Sequence, residues 1–327
     1  MAQFETRSVF ITGGAGFLGS AFTERLLAFP NISQITIFDL NACKQEHTQA
    51  IANHSRASLI AGDLKDLDAL IRAMEGHDTV LHLASNADIS RAATQPTIDF
   101  EEGTVLTQNT LEAARINGVA RVLYASGSGV YGDRGTTELC EDDGPFHPIS
   151  TYGASKLAGE SLLSAYCNMF EMTGIAFRFA NIVGPGQTHG IALDFVRKLM
   201  SDPTQLEILG DGTQTKSYIH IDDVFDAVWL AHTNSTKKFD VFNVSTHDAI
   251  SVDQIAKIAM EEVLGKDAAV ELKYTGGDRG WKGDVPVVRL NSTKIKSLGF
   301  APNYTSEEAV RLAIAGILAK QKSSVHL

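Results

Sequence analysis

The stretch VFITGGAGFLGS, from Val9 to Ser20, decides the fold of this chain. An apolar run ends in a cluster of glycines, and a helical pattern of apolar residues follows. Gly14, Gly16 and Gly19 have the spacing G-x-G-x-x-G at this predicted strand-to-helix turn. Such a turn lets the backbone approach a pyrophosphate and directs a helix N-terminus at its charge. The stretch therefore predicts a dinucleotide-binding turn; a tight βα turn without a ligand is the alternative for the motif alone.

Acidic residues at the ends of the next two predicted strands strengthen this interpretation. The apolar run over residues 35–38 ends at Asp39, at the position expected for an acid that binds both ribose hydroxyls of NAD. A carboxylate there would repel the 2′-phosphate of NADP, and no arginine directly follows it, so the sequence favours NAD. Another apolar run ends at Asp63, which either meets the adenine amino group or caps the helix that begins near Leu64. The two roles are compatible, and the sequence leaves both open.

Bulk composition indicates a globular protein that does not bind nucleic acid. The 327 residues are 44% hydrophobic and 20% charged, which is ordinary for a globular chain with a large core. The formal net charge of -11 disfavours nucleic-acid binding, which requires a basic surface. It does not exclude an anionic substrate, because a few local cations can override the global sign.

Cysteine usage and hydropathy predict a cytoplasmic protein without a metal or a membrane segment. Cys43, Cys140 and Cys167 are widely spaced, so neither a zinc site nor a disulfide framework is supported. A reducing compartment is expected. The N-terminus lacks a signal-peptide pattern, and no apolar run is long enough to span a bilayer.

The first half of the chain alternates short β-rich runs with helical segments. Strands are predicted near residues 7–12, 34–38, 58–60, 79–83, 121–125 and 175–179, and helices near 17–28, 66–74, 103–117 and 153–172. This alternation predicts an α/β fold with a Rossmann-type, doubly wound parallel sheet. Ligands of such sheets lie at the carboxyl ends of the strands, where all the candidate binding residues above fall.

The second half predicts a smaller lobe. We assign residues 1–180 to the NAD-binding domain and expect residues 216–240 to return to it. Residues 181–215 and 241–327 are assigned to a discontinuous α/β substrate lobe, because the rhythm of strands and helices changes after about residue 181. The last residues, 320–327, are predicted to form a loose tail.

Tyr152 and Lys156 are the predicted catalytic pair. They lie four residues apart at the start of a helical pattern, so their side chains share one face of the helix. A free tyrosine, with a pKa of about 10, is a poor base at neutral pH, but a nearby ammonium and a cationic nicotinamide favour the phenolate. The phenolate can then take a proton from a substrate hydroxyl while the adjacent C–H passes a hydride to NAD. The alternative is a surface Tyr–Lys pair, which the dinucleotide motif makes less favourable.

Together these motifs resemble the extended short-chain dehydrogenase/reductase family. The resemblance rests on Thr12-Gly13-x-x-Gly16-x-x-Gly19, Asp39, Asp63, Val130-Tyr131-Gly132, Tyr152-x-x-x-Lys156 and Asn181. Within that family, the chain resembles nucleotide-sugar epimerases of the UDP-galactose 4-epimerase type. The segments FANIVGP (residues 179–185) and DRGWKGD (residues 278–284) are similar to the UDP-glucuronate and UDP-glucose 4-epimerases.

The resemblance implies a cofactor site at the glycine turn and at the strand ends. Phe17 and Leu18 would contact the pyrophosphate through backbone amides, and residues 83–85 would pass beneath the nicotinamide half. The predicted NAD-binding residues are Gly13, Gly16, Phe17, Leu18, Gly19, Asp39, Asn41, Asp63, Leu64, Leu83, Ala84, Ser85, Tyr152 and Lys156.

The resemblance also implies three substrate-binding residues. Asn181 would hydrogen-bond the diphosphate of a nucleotide sugar. Lys216 falls where many relatives have a phosphate-binding arginine, and lysine keeps the charge but loses the bidentate fork. Arg279 would bind the diphosphate or the nucleotide ribose. For Lys216 and Arg279 the alternative is a solvated surface cation.

Gly127 departs from the family pattern. Relatives usually carry serine or threonine four residues before the tyrosine of Val-Tyr-Gly, and that hydroxyl bonds the catalytic tyrosine and the reacting sugar oxygen. Ser126 or Ser128 could supply the hydroxyl, since the flanking glycines permit a shifted loop. Alternatively, water takes the role and turnover is slow, or the reaction differs. The sequence does not choose among these.

The predicted function is NAD-dependent epimerisation at C4 of a nucleotide sugar, a UDP-hexose or UDP-uronate, through a transient 4-keto sugar. Ser128-Gly129 stands where related dehydratases and decarboxylases carry acidic residues, so those reactions are disfavoured. The alternatives are a net dehydrogenase or ketoreductase of a nucleotide sugar and a catalytically silent NAD-binding protein. The resemblance further implies a homodimer that pairs the helices near 103–117 and 153–172.

Overall fold

The structure is a computed structural model that describes residues 5–42, 51 and 53–324; Cys43 lies outside them. The strands are β1 (Ser8–Thr12), β2 (Gln34–Asp39), β3 (Ala57–Ala61), β4 (Thr79–His82), β5 (Arg121–Gly127), β6 (Glu138–Leu139), β7 (Thr173–Phe179), β8 (Asn181–Val183), β9 (Gln205–Ile208), β10 (Thr215–Lys216), β11 (Tyr218–His220), β12 (Phe239–Val244), β13 (Ile250–Ser251), β14 (Glu271–Tyr274) and β15 (Val287–Leu290). The α-helices are α1 (Phe17–Leu27), α2 (Leu67–Met74), α3 (Val105–Ile116), α4 (Thr151–Met169), α5 (Ile191–Ser201), α6 (Ile221–Asn234), α7 (Val252–Leu264), α8 (Thr293–Lys296) and α9 (Ser306–Ser324). Ile89–Ala93 and Ser128–Tyr131 form 3₁₀ turns, and Phe100–Thr104 forms a π-helical turn.

A seven-stranded sheet, in the order β3-β2-β1-β4-β5-β7-β12, organises the first part of the chain. The pairs β1–β2, β2–β3, β1–β4 and β4–β5 are parallel, and Ile11 of β1 lies opposite Ile37 of β2 and Leu81 of β4. The chain winds in one direction from β1 to β3 and in the other from β4 onward. The switch between β1 and β4 is the place where sheets of this kind bind ligands. The predicted α/β, doubly wound fold is confirmed.

The sheet forms because its central strands are short, apolar and buried. Every residue of β1 is buried, which suits a strand in the middle of a parallel sheet. Phe10, Phe38 and Val80 pack in one cluster with Leu111 of α3 and Leu163 of α4. Burial of these side chains is the main term that stabilises the sheet.

The predicted strands and helices agree with the structure to within three residues at each end. The predicted loose tail is wrong for residues 320–324, which belong to α9. This helix is held because its Ala313, Ile314 and Ile317 side chains are buried. The tail residues 325–327 lie outside the described part of the chain.

The chain divides into two compact units. The first contains Met1–Val130, Thr151–Arg178 and Phe225–Phe242, and the second contains Tyr131–Ser150, Phe179–Val224 and Asn243–Leu327. The boundaries differ from the predicted ones at residues 131–150, 179–180 and 216–224, which group with the second unit, and at residues 241–242, which β12 carries into the first.

Pairing within the second unit explains the difference. β6 pairs in parallel with β15, and the Tyr131 hydroxyl donates to Asn243 Oδ1 at 2.8 Å, so residues 131–150 are bound there. β10 pairs with β13 and β15, and β11 pairs with β8. The Asp223 carboxylate accepts the backbone N–H of Asn303 at 2.9 Å. These long-range pairings leave no mark in the local pattern of the sequence.

A buried ion pair connects α4 to β7 in the first unit. Arg178 Nη2 lies 2.7 Å from Glu160 Oε2, and the two side chains are only 3% and 5% exposed. The Ser126 hydroxyl donates to Glu160 Oε1 at 2.5 Å, so the carboxylate is shared by the end of β5. A buried charge of this kind is strongly destabilising when its oppositely charged partner is removed.

We predict that Arg178→Met lowers the free energy of unfolding by about 3–5 kcal/mol, because it leaves the Glu160 carboxylate buried without its cation. Urea denaturation followed by circular dichroism measures this. Arg115→Met, at the exposed pair of Arg115 with Glu112, is the matched control and should change the stability little. Equal effects of the two substitutions would contradict the prediction.

Candidate active site

The end of β1 approaches the loop that follows β4 so closely that only glycine fits. Gly13 has a φ of 68°, in the left-handed region, and its N–H donates to Phe38 O at 3.1 Å. A Cβ atom on Gly13 would lie 2.8 Å from Ala84 Cα and Ala84 N. The segments that follow β1 and β4 at the switch point therefore contact each other through backbone atoms, with no side chain between them.

The first turn of α1 packs on the same glycines. A Cβ atom on Gly19 would lie 2.3 Å from Gly14 Cα and 2.6 Å from Gly13 O. Gly16 precedes the helix, so the N–H groups of Phe17 and Leu18 belong to the first turn, where an α-helix offers no backbone acceptor. The glycines thus position a helix N-terminus at the carboxyl end of β1, as a pyrophosphate site requires.

Asp39 lies at the end of β2 beside this turn. Its Oδ2 accepts the N–H of Ala15 at 3.1 Å and its Oδ1 accepts the N–H of Asn41 at 2.8 Å. The carboxylate is held at the glycine turn while it keeps acceptor capacity for a ligand hydroxyl. The glycine turn, the helix N-terminus and this acid fit the adenosine and pyrophosphate parts of NAD.

Asp63 is exposed to solvent, whereas the next residue, Leu64, is buried. The N-cap of α2 is Asp66, whose side chain accepts the N–H of Ala69 at 3.0 Å, so the predicted capping role of Asp63 is wrong. Asp63 is exposed after β3 and accepts the N–H of Lys65 at 2.9 Å. Leu64 is buried in the core cluster, so any contact with the cofactor would have to involve its backbone.

The loop after β4, residues 83–85, includes Ala84, which contacts Gly13. The N–H of Leu83 donates to Thr12 O at 3.2 Å, which extends the pairing of β1 with β4 by one residue. Ala84 and Ser85 are half-buried. His82, the last residue of β4, lies between the hydroxyls of Thr12 and Thr107, and burial lowers its pKa to about 3, so it is neutral.

Tyr152 and Lys156 come together on α4. Lys156 Nζ lies 5.5 Å from the centre of the Tyr152 ring and donates to Ala125 O at 2.7 Å. The Lys156 side chain is buried, and its ammonium also lies 5.4 Å from the Tyr124 ring centre. The backbone of β5 therefore fixes the ammonium next to the phenol, as the spacing of four predicted.

Burial and the charge of Asp99 both shift the pKa values of Tyr152 and Lys156. Burial raises the pKa of Tyr152 to about 12, and the negative charge of Asp99 adds to that shift. Burial lowers the pKa of Lys156 to about 8, and Asp99 opposes that change. Near pH 7 the chain by itself holds a phenol beside an ammonium. A further positive charge brought to the phenol would favour its ionised form.

The end of β5 faces Tyr152 through Gly127. A Cβ atom on Gly127 would lie 4.0 Å from Tyr152 Cε1, and no other atom within that distance obstructs it. Ser126 is engaged by Glu160, as described above. Ser128 is half-buried and begins a 3₁₀ turn. Of the two serines predicted to replace the family hydroxyl, only Ser128 is outside the buried ion pair.

The two predicted diphosphate-binding cations of the second unit, Lys216 and Arg279, meet at Asp284. Lys216 Nζ lies 2.5 Å from Asp284 Oδ1, and the Arg279 guanidinium donates to the Asp284 carbonyl oxygen. The N–H of Gly280 donates to Asp284 Oδ2 at 3.1 Å. Arg279 also pairs with Asp133 at 2.6 Å. The structure thus brings the two cations together, each paired with a carboxylate.

Asn181 lies near Lys216 through strand pairing. β8 begins at Asn181, which is opposite Tyr218 of β11, two residues after Lys216. The Asn181 side chain is half-buried, and its backbone N–H donates to Ser217 O at 3.2 Å. The second unit therefore gathers the three predicted substrate-binding residues around one pair of strands and one loop.

The sequence matches the model of the NAD dependent epimerase/dehydratase family over residues 9–245. The chain belongs to this family. The UDP-glucose 4-epimerase of Mycolicibacterium smegmatis is 33% identical over 223 residues, which cover 66% of this chain and 70% of that protein. A solved UDP-galactose 4-epimerase is 34% identical, with a TM-score of 0.82 over 96% of this chain and 99% of that one. MoeE5 in complex with UDP-glucuronic acid and NAD is 29% identical, with a TM-score of 0.82 over 97% and 99%.

Family membership confirms the resemblance to nucleotide-sugar epimerases of the extended short-chain dehydrogenase/reductase type. This epimerase/dehydratase family member is an NAD-dependent enzyme, as predicted. The family contains both epimerases and dehydratases, so membership does not by itself choose the reaction. Within residues 5–42, 51 and 53–324, we find no group of three acidic, histidine or cysteine side chains able to hold a metal ion. None of the helices described there has the length and hydropathy of a membrane span.

Two acids, Asp99 and Asp284, were not predicted from the sequence. Asp99 lies near Tyr152 and Lys156, and Asp284 contacts Lys216 and Arg279. Asp284 stands in the quoted DRGWKGD segment, so a signal for it was present in the sequence. Asp99 carried no such signal, because its hydrogen-bond partners are 13 and 52 residues away along the chain. Only the fold brings Asp99 next to Tyr152.

We predict that Asp39→Asn changes the preference between NAD and NADP. The amide removes the charge that repels a 2′-phosphate, so the ratio of the NADP to the NAD dissociation constant should fall about tenfold, or about 1.4 kcal/mol. Isothermal titration calorimetry measures both constants. Asp63→Asn, the same substitution at the end of β3, should leave the ratio unchanged. An unaltered ratio in Asp39→Asn would show that Asp39 does not face the ribose.

Proposed function

We propose that the chain is an NAD-dependent epimerase that inverts C4 of a nucleotide sugar, a UDP-hexose or UDP-uronate, through a transient 4-keto sugar. The observation that carries the proposal is the phenol of Tyr152 beside the buried ammonium of Lys156, 5.5 Å from the ring centre. Similarity to a UDP-galactose 4-epimerase and to a protein solved with UDP-glucuronic acid and NAD supports this substrate class.

Tyr152 acts as the base and then as the acid. Its phenolate removes the proton from the C4 hydroxyl, and the same group returns a proton when the C4 hydroxyl is restored. Bound NAD would supply the acceptor and then the donor for the C4 hydride, and return of the hydride to the opposite face of the sugar would leave no net redox change. Lys156 stabilises the phenolate, and its hydrogen bond to Ala125 O keeps the ammonium at the phenol.

The second unit binds the anionic part of the substrate in this proposal. Asn181 and Lys216 would hydrogen-bond the diphosphate, and Arg279 would bind the diphosphate or the nucleotide ribose. Because Lys216 and Arg279 already pair with Asp284 and Asp133, the diphosphate must share these cations or displace the carboxylates. Lysine at position 216 supplies a point charge in place of a bidentate fork.

The residues at the end of β5 favour epimerisation over elimination. Ser128 and Gly129 precede Val130 and Tyr131, so this loop carries no carboxylate to remove a proton beside the keto group. Gly127 is the one observation that favours a second candidate, a slow or catalytically silent NAD-binding protein, because no hydroxyl extends from it toward Tyr152.

We also propose that the protein is a cytoplasmic homodimer that pairs α3 and α4 with their copies. The exposed apolar side chains Ile116, at the end of α3, and Met169, at the end of α4, support such a contact. They are 48% and 72% exposed in one chain.

We predict that Tyr152→Phe lowers kcat by about 10²–10⁴-fold, because it removes the acid–base group, and that NAD still binds. The assay is proton NMR of a panel of UDP-hexoses, UDP-uronates and other nucleotide sugars with catalytic NAD. The wild type should produce a C4-epimer signal without accumulation of NADH. Tyr166→Phe, the same substitution further along α4, should retain turnover.

Three outcomes would contradict the proposal. Turnover near that of the wild type in Tyr152→Phe would exclude the base. Stoichiometric NADH formation would indicate a net dehydrogenase. Conversion of no member of the panel, with NAD bound, would indicate a silent protein.

We predict that Gly127→Ser raises kcat about fivefold, since one added hydrogen bond to the sugar oxygen contributes about 1 kcal/mol. The position has room for the side chain, and its φ lies outside the region reserved for glycine. Gly127→Ala adds the Cβ without the hydroxyl and is the matched control. If serine and alanine change kcat equally, the missing hydroxyl does not limit turnover.

A further inference from the structure

Asp99 is a buried carboxylate immediately before the π-helical turn Phe100–Thr104. Its residue is 1% exposed. Asn86 Nδ2 donates to Asp99 Oδ1 at 2.9 Å, and the Thr151 hydroxyl donates to Asp99 Oδ2 at 2.7 Å. Both donors are neutral, and among the described residues no salt bridge includes Asp99. A buried carboxylate held by neutral donors keeps more of its electrostatic influence on its surroundings than a paired one.

The two donors belong to the two segments that carry the candidate site. Asn86 directly follows the 83–85 loop, where its Oδ1 accepts the N–H of Asp88 at 3.0 Å and its own N–H donates to Glu102 O at 3.1 Å. Thr151 is the first residue of α4 and precedes Tyr152. Asp99 therefore connects the segment after β4 to the helix that presents the phenol.

Among the described residues of the first unit, few other charges face Tyr152. Lys156 lies on the same helix, and the phenol of Tyr124 faces from β5. Glu160 is paired with Arg178, and His82 on β4 is neutral.

The segment that carries Asp99 also contains Arg91, Glu101 and Glu102. The 3₁₀ turn packed on α4 carries Arg91, which is exposed and donates to Gln95 at 3.0 Å. Beyond Asp99, Glu101 is exposed and Glu102 is half-buried on the π-helical turn. Of the charged side chains named here from the described residues of the first unit, Asp99 and Lys156 are the two beside Tyr152 that form no salt bridge.

We propose that Asp99 is a positioning residue of the catalytic pair: its charge favours the ammonium form of Lys156 and the phenol form of Tyr152, and its hydrogen bond to Thr151 orients the start of α4. The proposal rests on the proposed function, because it assigns Tyr152 as the group that must ionise. The negative charge of Asp99 disfavours the phenolate of Tyr152 and favours the ammonium of Lys156. It therefore acts to raise the pKa of both groups.

Two substitutions separate the charge from the hydrogen bond. Asp99→Asn removes the charge and keeps the shape, and its amide can still accept from Asn86 while it donates to the Thr151 hydroxyl. Thr151→Val keeps the charge and the shape but removes the donor. The readout is the ionisation of Tyr152 in the holoenzyme with saturating NAD, taken as the ultraviolet tyrosinate absorbance of each protein minus that of its Tyr152→Phe counterpart.

In Asp99→Asn the pKa of Tyr152 should fall by about one unit relative to the wild type, and the acidic limb of the kcat profile should move to lower pH by the same amount. In Thr151→Val the pKa should stay at the wild-type value while kcat falls about tenfold and the NAD dissociation constant is unchanged.

An unchanged Tyr152 pKa in Asp99→Asn would overturn the proposal, as would a loss of kcat in both variants with superimposable pH profiles. If Asp99→Asn does not fold, a wild-type kcat in Thr151→Val would overturn the orienting role. The titration needs no turnover, so a shifted pKa in a chain that converts no nucleotide sugar would support the effect of Asp99 and refute the proposed function.

Discussion

The close approach of the backbone at Gly13, Gly14 and Gly19 is the contact on which the rest of the structure depends. These residues allow β1, the first turn of α1 and the loop after β4 to meet at distances that a Cβ atom would prevent. The same contact places the N-terminus of α1 at the carboxyl end of β1, where we expect the pyrophosphate of NAD to bind. Fold and cofactor site thus share one steric condition, so a side chain at these glycines would disturb both.

The other predicted site residues of the first unit lie at the carboxyl ends of neighbouring strands and on α4. β5 lies on the far side of β4 from the glycine turn, and its backbone carbonyl at Ala125 fixes the Lys156 ammonium beside Tyr152. The end of the same strand is also joined to the Glu160–Arg178 pair through Ser126. A structural ion pair and the ammonium that we propose to be catalytic are therefore supported by neighbouring residues of one strand.

Charge balance is the second constraint on this protein. Lys216 and Arg279 are each neutralised by a carboxylate within the second unit, whereas Asp99 is held by neutral donors in the first. The cations expected to bind an anionic substrate are thereby kept in place by Asp284 and Asp133. The Tyr152 phenol, in contrast, lies near the buried Lys156 ammonium, and the Asp99 carboxylate is bonded to the residue before it. This arrangement suits the change of protonation state that we propose for Tyr152.

The sequence by itself determined the dinucleotide-binding turn, the order of strands and helices, and the Tyr152–Lys156 pair, because each depends on local spacing: glycines at a turn, apolar runs of period two or 3.6, and four residues along a helix. Only the tertiary structure decided the boundaries of the two units, the engagement of Ser126 by Glu160, the capping of α2 by Asp66 and the place of Asp99. Except for the cap, these depend on contacts between residues far apart in the chain, for which the sequence has no local pattern. The cap was misassigned because Asp63 and Asp66 both precede the same apolar run, and only the backbone geometry shows which carboxylate reaches the first turn.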